Sequence, residues 1–153
     1  MRWLELRVPP LVVVALCALL IFAVRRSIPE LGVFIPGRRA IYGVLLVAGV
    51  LVAAAGVLQF RRAGTTKNPM TPDAASALVT GGIYRFSRNP MYLGMVLVLL
   101  AVAVFFSHPL GLAGPALFIA WITLFQIAPE ERALRKRFGA AFEEYCARVR
   151  RWI

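Results

Sequence analysis

The chain has 153 residues, 60% of them hydrophobic and 16% charged, with a formal net charge of +11 and a mean hydropathy of +0.75. A soluble domain averages closer to half apolar and a quarter charged, so a single water-exposed core cannot absorb this excess. The basic residues flank long apolar runs without any nucleic-acid motif, which argues for orientation in a bilayer and contact with anionic lipid, and against nucleic acid as a partner.

Four apolar stretches follow in chain order: Val8 to Val24, Ala40 to Phe60, Met91 to Phe106 and Leu110 to Pro129. None contains Lys, Arg, Asp or Glu, as expected of lipid-facing helices, and each approaches the roughly 20 residues that cross a hydrocarbon core. The first has the basic flank and apolar centre of a signal peptide. Arg25-Arg26-Ser27-Ile28 follows where a small-residue cleavage site would stand, so a retained helix is expected. The third and fourth are joined only by Ser107, His108 and Pro109, which predicts a tight antiparallel hairpin.

The connection from Arg61 to Pro90 is long, and loops of that size are usually functional or disordered. Gly64-Thr65-Thr66 and Asn68-Pro69 are turn formers, and Ala74 to Val79 reads as a short interfacial helix. Gly81-Gly82 breaks the chain before Tyr84-Arg85-Phe86-Ser87-Arg88-Asn89-Pro90 leads into the third span. Two readings stand for this segment. Its Arg, Asn and Tyr side chains suit a polar or anionic ligand at a helix entrance, or Arg85 and Arg88 are topology anchors and Tyr84 and Tyr92 belong to an aromatic belt.

After Pro129, Leu134, Phe138, Ala141, Phe142, Tyr145, Val149 and Trp152 recur at spacings of three and four, predicting an amphipathic helix that Gly139 weakens. An interfacial helix on anionic lipid is the plain reading. Glu130 and Glu131 fit it less well. They can start that helix, where acidic residues are favoured, and can equally face the Arg88-Asn89 segment and receive the polar groups of a cofactor; the two readings are not exclusive. Four spans place both termini and the 61–90 loop on one side, with fourteen of the eighteen Lys and Arg; only Arg25, Arg26, Arg38 and Arg39 lie opposite. The positive-inside rule puts the richer side in the cytoplasm. Cys17 and Cys146 are far apart, and with one histidine they make neither a disulfide framework nor a metal site.

Over residues 64–153 the chain resembles the membrane methyltransferases that include isoprenylcysteine carboxyl methyltransferase and the phospholipid N-methyltransferases. The matching residues are Leu78-Val79-Thr80-Gly81-Gly82-Ile83-Tyr84, then Arg88-Asn89-Pro90-Met91-Tyr92-Leu93-Gly94. After the hairpin come Glu130-Glu131, Leu134, Phe138-Gly139, Phe142 and Tyr145. The resemblance implies an all-α integral membrane fold of about four transmembrane helices. In it, the cytoplasmic loop and the C-terminal amphipathic helix form a cofactor pocket, with an N-terminal two-span region over 1–60 and a catalytic region over 61–153. It implies methyl transfer from S-adenosyl-L-methionine to a lipophilic or lipidated acceptor, leaving S-adenosyl-L-homocysteine, with membrane lipids as partners and no metal. A bacterial inner (cytoplasmic) membrane with both termini cytoplasmic is the expected location.

Carried over by position, the cofactor would be held by Ser76, Ala77, Leu78, Val79, Tyr84, Asn89, Pro90, Met91, Tyr92, Glu130 and Glu131. Either Tyr84 or Tyr92 would lay a ring near the sulfonium. Arg85, Arg88 and Gln126 are the candidates on the acceptor side; no catalytic residue is fixed. An activated donor asks mainly for alignment and exclusion of water. A carboxylate or thiolate acceptor needs no base, whereas an ammonium must first lose a proton, and His108 is expected at the opposite face. Two positions depart from the carboxyl methyltransferases: Asn89 replaces a histidine, and Gln126 replaces an arginine that faces the substrate carboxylate. The acceptor class is therefore open. Membrane sterol reductases, which bind NADPH and share a similar C-terminal architecture, are the second reading; Glu130-Glu131 with Phe138-Gly139 suits the methyltransferases better. A scaffold or transporter subunit is the third, and the apolar spans lack the polar residues that transport paths usually need.

Overall fold

The computed structural model describes residues 2–64 and 77–153, and among these the only regular elements are helices. Six α-helices follow in order: α1 (Pro10–Ser27), α2 (Arg38–Arg62), α3 (Pro90–Phe106), α4 (Ala113–Ile122), α5 (Ala128–Phe138) and α6 (Ala140–Arg148). Proline occupies the first turn of α1 and α3, where its missing N–H costs nothing. Basic residues close α1 and α2, matching the negative end of each helix dipole.

Three helical stretches are long and apolar enough to cross a membrane: Pro10–Ser27, Arg38–Arg62 and Pro109–Phe138. At 17 residues α3 is the short one, and it runs through the centre of the bundle, packed against α1, α2 and α4. Leu11, Leu16, Phe22, Val44, Val47, Leu51, Leu117 and Leu124 are exposed on the outer faces, the pattern of a bundle whose solvent is lipid. The protein is an all-α membrane protein.

Because lipid tails are as apolar as leucine, helices associate in a bilayer by close packing of small residues. The α2–α3 contact works this way. A Cβ on Gly94 would lie 2.5 Å from the carbonyl oxygen of Gly49 and 2.7 Å from the Cβ of Ala53, and one on Gly56 would meet Met91 Cγ at 2.7 Å. The other side of α3 is larger and drier. Val13, Cys17 and Ile21 from α1 meet Val96, Leu99, Phe118, Ile122 and Ile127 in one core, so α1 is built into the bundle.

The structure changes several expected boundaries. The fourth span does not stop at Pro129. It passes through one π-helical turn, Thr123–Ile127, and continues unbroken into α5. Proline is tolerated there because it follows the π turn directly. The tail is two helices, because Gly139 adopts φ +51 and ψ −124, which breaks the amphipathic run into α5 and α6. Of the short helix expected over Ala74 to Val79, the described residues from Ala77 onward are not helical, and the rest lies outside the described residues.

Candidate functional site

The two ends of the bundle differ in chemistry. At one end the hairpin turn is tied to the α1–α2 connection: Val33 N donates to Ser107 O at 2.8 Å, Arg38 Nη1 to Ser107 Oγ at 3.3 Å, and His108 Nε2 to Ile28 O at 2.9 Å. At the other end Leu6 N donates to Phe125 O at 3.0 Å, bringing the N-terminal segment beside the C-terminal helices. A cavity lies at this second end, where α2 finishes, α3 begins and α5 and α6 fold across.

Phe60, Leu78, Val79, Met91, Ile127, Leu134 and Phe142 give the cavity its apolar walls, and Ala77, Tyr84, Arg88, Asn89, Tyr92, Glu130, Glu131 and Tyr145 complete it. The glutamates project from α5 because the spacing of the π turn sets which face follows it. Glu130 Oε1 accepts from the Tyr92 hydroxyl at 2.6 Å and from Gln126 Nε2 at 2.7 Å. A carboxylate offers about four acceptor sites, so two donors on one oxygen leave acceptor capacity on the group. Glu131, one residue on, faces elsewhere. It accepts from Arg88 Nη2 at 2.9 Å and from Arg151 at 3.0 and 2.6 Å, a bidentate pair.

Tyr84 packs edge-on against Phe60 at 5.4 Å and sits with Phe142 and Tyr145 in a small cluster. Its backbone carbonyl accepts from the Tyr145 hydroxyl at 2.8 Å. Its own hydroxyl is buried without a hydrogen-bond partner among the described residues, although it belongs to a cavity-lining side chain. Burial pushes both phenols above their ordinary pKa, so each is a neutral donor at physiological pH.

Most of the cofactor positions named from sequence come together here. Ala77, Leu78, Val79, Tyr84, Asn89, Met91, Tyr92, Glu130 and Glu131 all line the cavity. Pro90 is buried at the start of α3, where it packs near Gly56, and Ser76 lies outside the described residues. The acceptor-side candidates fare differently. Arg88 lines the cavity with its Nη1 and Nη2 donated to Val149 O, Cys146 O and Glu131, while its Nε is buried without a partner among the described residues. Arg85 is exposed and lines a separate polar depression with Thr80, Gly81 and Arg148. Gln126 is buried and bonded to Glu130. Asn89 donates its Nδ2 to Arg151 O at 2.9 Å.

Glu130 and Glu131 both lie in the first turn of α5, which continues the helix before it; Glu131 meets Arg88, while Glu130 is bonded to Tyr92 and Gln126. The amphipathic tail likewise spends its apolar face on the protein: Leu134, Phe138, Phe142, Tyr145 and Val149 pack around Tyr84. Phe60, Ile127 and Arg151 were not singled out from sequence. Phe60 carried only the signal of closing the second apolar run, and Arg151 none beyond its charge.

A family model for phospholipid methyltransferases matches residues 38–141, from the start of α2 into α6. Among individual proteins, an uncharacterized Haemophilus influenzae protein is 41% identical over 63 residues, which is 41% of this chain and the whole of that one. A probable protein-S-isoprenylcysteine O-methyltransferase of Oryza sativa subsp. indica is 27% identical over 106 residues, 69% of this chain and 56% of that protein. Protein-S-isoprenylcysteine O-methyltransferase A of Arabidopsis thaliana is 26% identical over 107 residues, 69% of this chain and 54% of that one. The chain thus spans little more than half the length of these plant relatives. No solved structure matches it. With more than half of its length matched by the family model, the chain belongs to the phospholipid methyltransferase family.

Proposed function

We propose that this protein transfers a methyl group from S-adenosyl-L-methionine to a lipophilic acceptor at the membrane surface. The observation that carries the reading is the pairing, in one cavity, of a carboxylate with spare acceptor capacity and a buried hydroxyl without a partner among the described residues, inside apolar and aromatic walls. Those groups fit the proposed donor: a carboxylate suits a cation or a ribose hydroxyl, and the aromatic surfaces suit a purine and a sulfonium. Bound S-adenosyl-L-methionine would supply an already activated methyl group.

The chain's own residues then have modest tasks. Tyr92 and Gln126 hold the Glu130 carboxylate in one orientation, Tyr84 offers its hydroxyl, and Ala77, Leu78, Val79, Asn89, Pro90 and Met91 form the supporting wall with Glu131. Of the wall residues, Pro90 stands behind the lining at the start of α3, beside Gly56. Phe60, Ile127, Leu134 and Phe142 exclude water, which strengthens every charged contact within. The chain's one histidine, His108, is bonded to Ile28 O at the other end and does not serve the cavity.

We take 61–153 as the catalytic region and 1–60 as a two-span region whose last residue, Phe60, completes the cavity wall. The basic cavity end faces the cytoplasm by the positive-inside rule, in a bacterial inner membrane, with both termini on that side. The acceptor reaches the site from the lipid phase, so membrane lipids or lipidated molecules are the candidate substrates. The test is transfer of labelled methyl from S-adenosyl-L-methionine into a total lipid extract. Label in a lipid fraction, lost in Glu130→Ala, is expected; no transfer to any fraction at high enzyme concentration would contradict the proposal.

A further inference from the structure

After α6 the chain becomes extended, with Val149 at φ −126 and ψ 130, and runs back across the segment that leads into α3. The two strips are fastened by a dense set of bonds. Arg88 N donates to Arg150 O at 3.1 Å, and Arg88 Nη1 donates to Val149 O at 2.8 Å and to Cys146 O at 3.2 Å. Arg151 O accepts from Asn89 Nδ2 at 2.9 Å and from Ser87 Oγ at 3.5 Å. Trp152 then packs against the main core.

Glu131 is the knot of this arrangement. Among the described residues it is the one carboxylate that reaches both Arg88 and Arg151, and its side chain is 12% exposed. Arg88 has further anchors on two backbone carbonyls, whereas among the described residues the side-chain bonds of Arg151 all go to Glu131. Arg151 is also the outer member, 39% exposed against 13% for Arg88. Loss of the Arg151 fork therefore frees the end of the strip while Arg88 stays seated. Three of the residues tied down in this way, Arg88, Asn89 and Glu131, are cavity wall.

We propose that Arg151 is a positioning residue of the cavity: its fork on Glu131 fastens residues 146–152 as a strap across Arg88 and Asn89, and so fixes the wall against which the methyl donor binds. The ligand in this statement rests on the reading given under Proposed function; the strap does not. Arg151 acts through Glu131, and lysine is a poor substitute because it keeps the charge but loses the planar fork.

Cys146 supplies a built-in reporter. It lies half-buried at the root of the strap, whereas Cys17 is buried in the core of the bundle. Maleimide labelling of Cys146 in the full chain in detergent micelles measures strap opening, and calorimetric titration of S-adenosyl-L-homocysteine measures the cavity. Arg151→Ala is expected to speed labelling and weaken the ligand by about tenfold each, the order of size for losing a bidentate charged pair. Arg151→Lys is expected to recover part of both, and saturating ligand to slow labelling of the wild type.

A folded Arg151→Ala protein with wild-type labelling and wild-type affinity overturns the proposal. Where the alanine variant does not fold, the lysine variant decides: intermediate values support the strap, and wild-type values for both readouts overturn it. A wild-type protein that binds no S-adenosyl-L-homocysteine overturns the methyl-donor reading instead, while its labelling rates still test the strap.

Discussion

The two ends of this bundle both bury polar side chains, and they use them in opposite ways. At the hairpin end, Ser107 and His108 are 4% and 3% exposed, and their bonds go to the backbone and to Arg38. Those contacts close a turn. At the cavity end, Glu130 accepts from Tyr92 and Gln126, and the Tyr84 hydroxyl has no partner among the described residues, around an open volume. Burial of polar groups is costly unless they are bonded, so every such group needs a reason. Among the described residues, unpaired buried atoms occur at both ends, and two of them, Tyr84 Oη and Arg88 Nε, belong to side chains that line the cavity, whereas His108 Nδ1 does not. The lesson is that a buried polar group marks a site when space and complementary groups accompany it.

Four substitutions test that contrast, beginning with the largest effect. Glu130→Ala removes a charged acceptor and strands the Tyr92 hydroxyl, so S-adenosyl-L-homocysteine affinity should fall by about 3 kcal/mol, on the order of a hundredfold. Retained affinity in a folded Glu130→Ala protein would mean that the cavity is not the donor site. Gly94→Ala drives a methyl group into Gly49 and Ala53 across the α2–α3 contact. It should cost about 1–3 kcal/mol of stability by thermal unfolding, with ligand affinity in the surviving folded protein little changed.

His108→Ala should lower stability by about 1–2 kcal/mol through the lost bond to Ile28 O, again without touching ligand affinity. A parallel loss of affinity would show that the two ends are coupled. Tyr84→Phe is the smallest and the most pointed. Its hydroxyl has no partner among the described residues, so unfolding should be nearly unaffected, while ligand affinity drops by about 1 kcal/mol. A stability loss with unchanged affinity would place that hydroxyl in the fold and not in the site.

Much of this was legible in the sequence, for reasons that are local. Uncharged apolar runs announce bilayer helices whatever the tertiary arrangement, and the strip from Leu78 to Tyr92 with Glu130 carries its motif in consecutive residues. What escaped was non-local or conformational. Arg88 reads as a topology anchor or a ligand contact that Glu130-Glu131 could face; only the fold reveals that Glu131 is its partner and that two carbonyls from residues beyond 145 share its Nη1. The π turn at Thr123–Ile127 has no composition signal, yet it lets Pro129 stand inside a continuous helix and sets the face that carries Glu130. Gly139 was visible as a weak point, but one residue's φ near +51 decides whether the tail bends or breaks.

The most direct measurement is a thermal-unfolding titration of the purified wild-type protein with S-adenosyl-L-homocysteine, run beside Glu130→Ala. A ligand that binds only the folded state must raise the melting temperature as its concentration rises. The expected result is a saturable rise in the wild type that is lost or shifted to much higher concentration in Glu130→Ala. No rise in the wild type, or an equal rise in both proteins, would contradict a methyl-donor site built on Glu130.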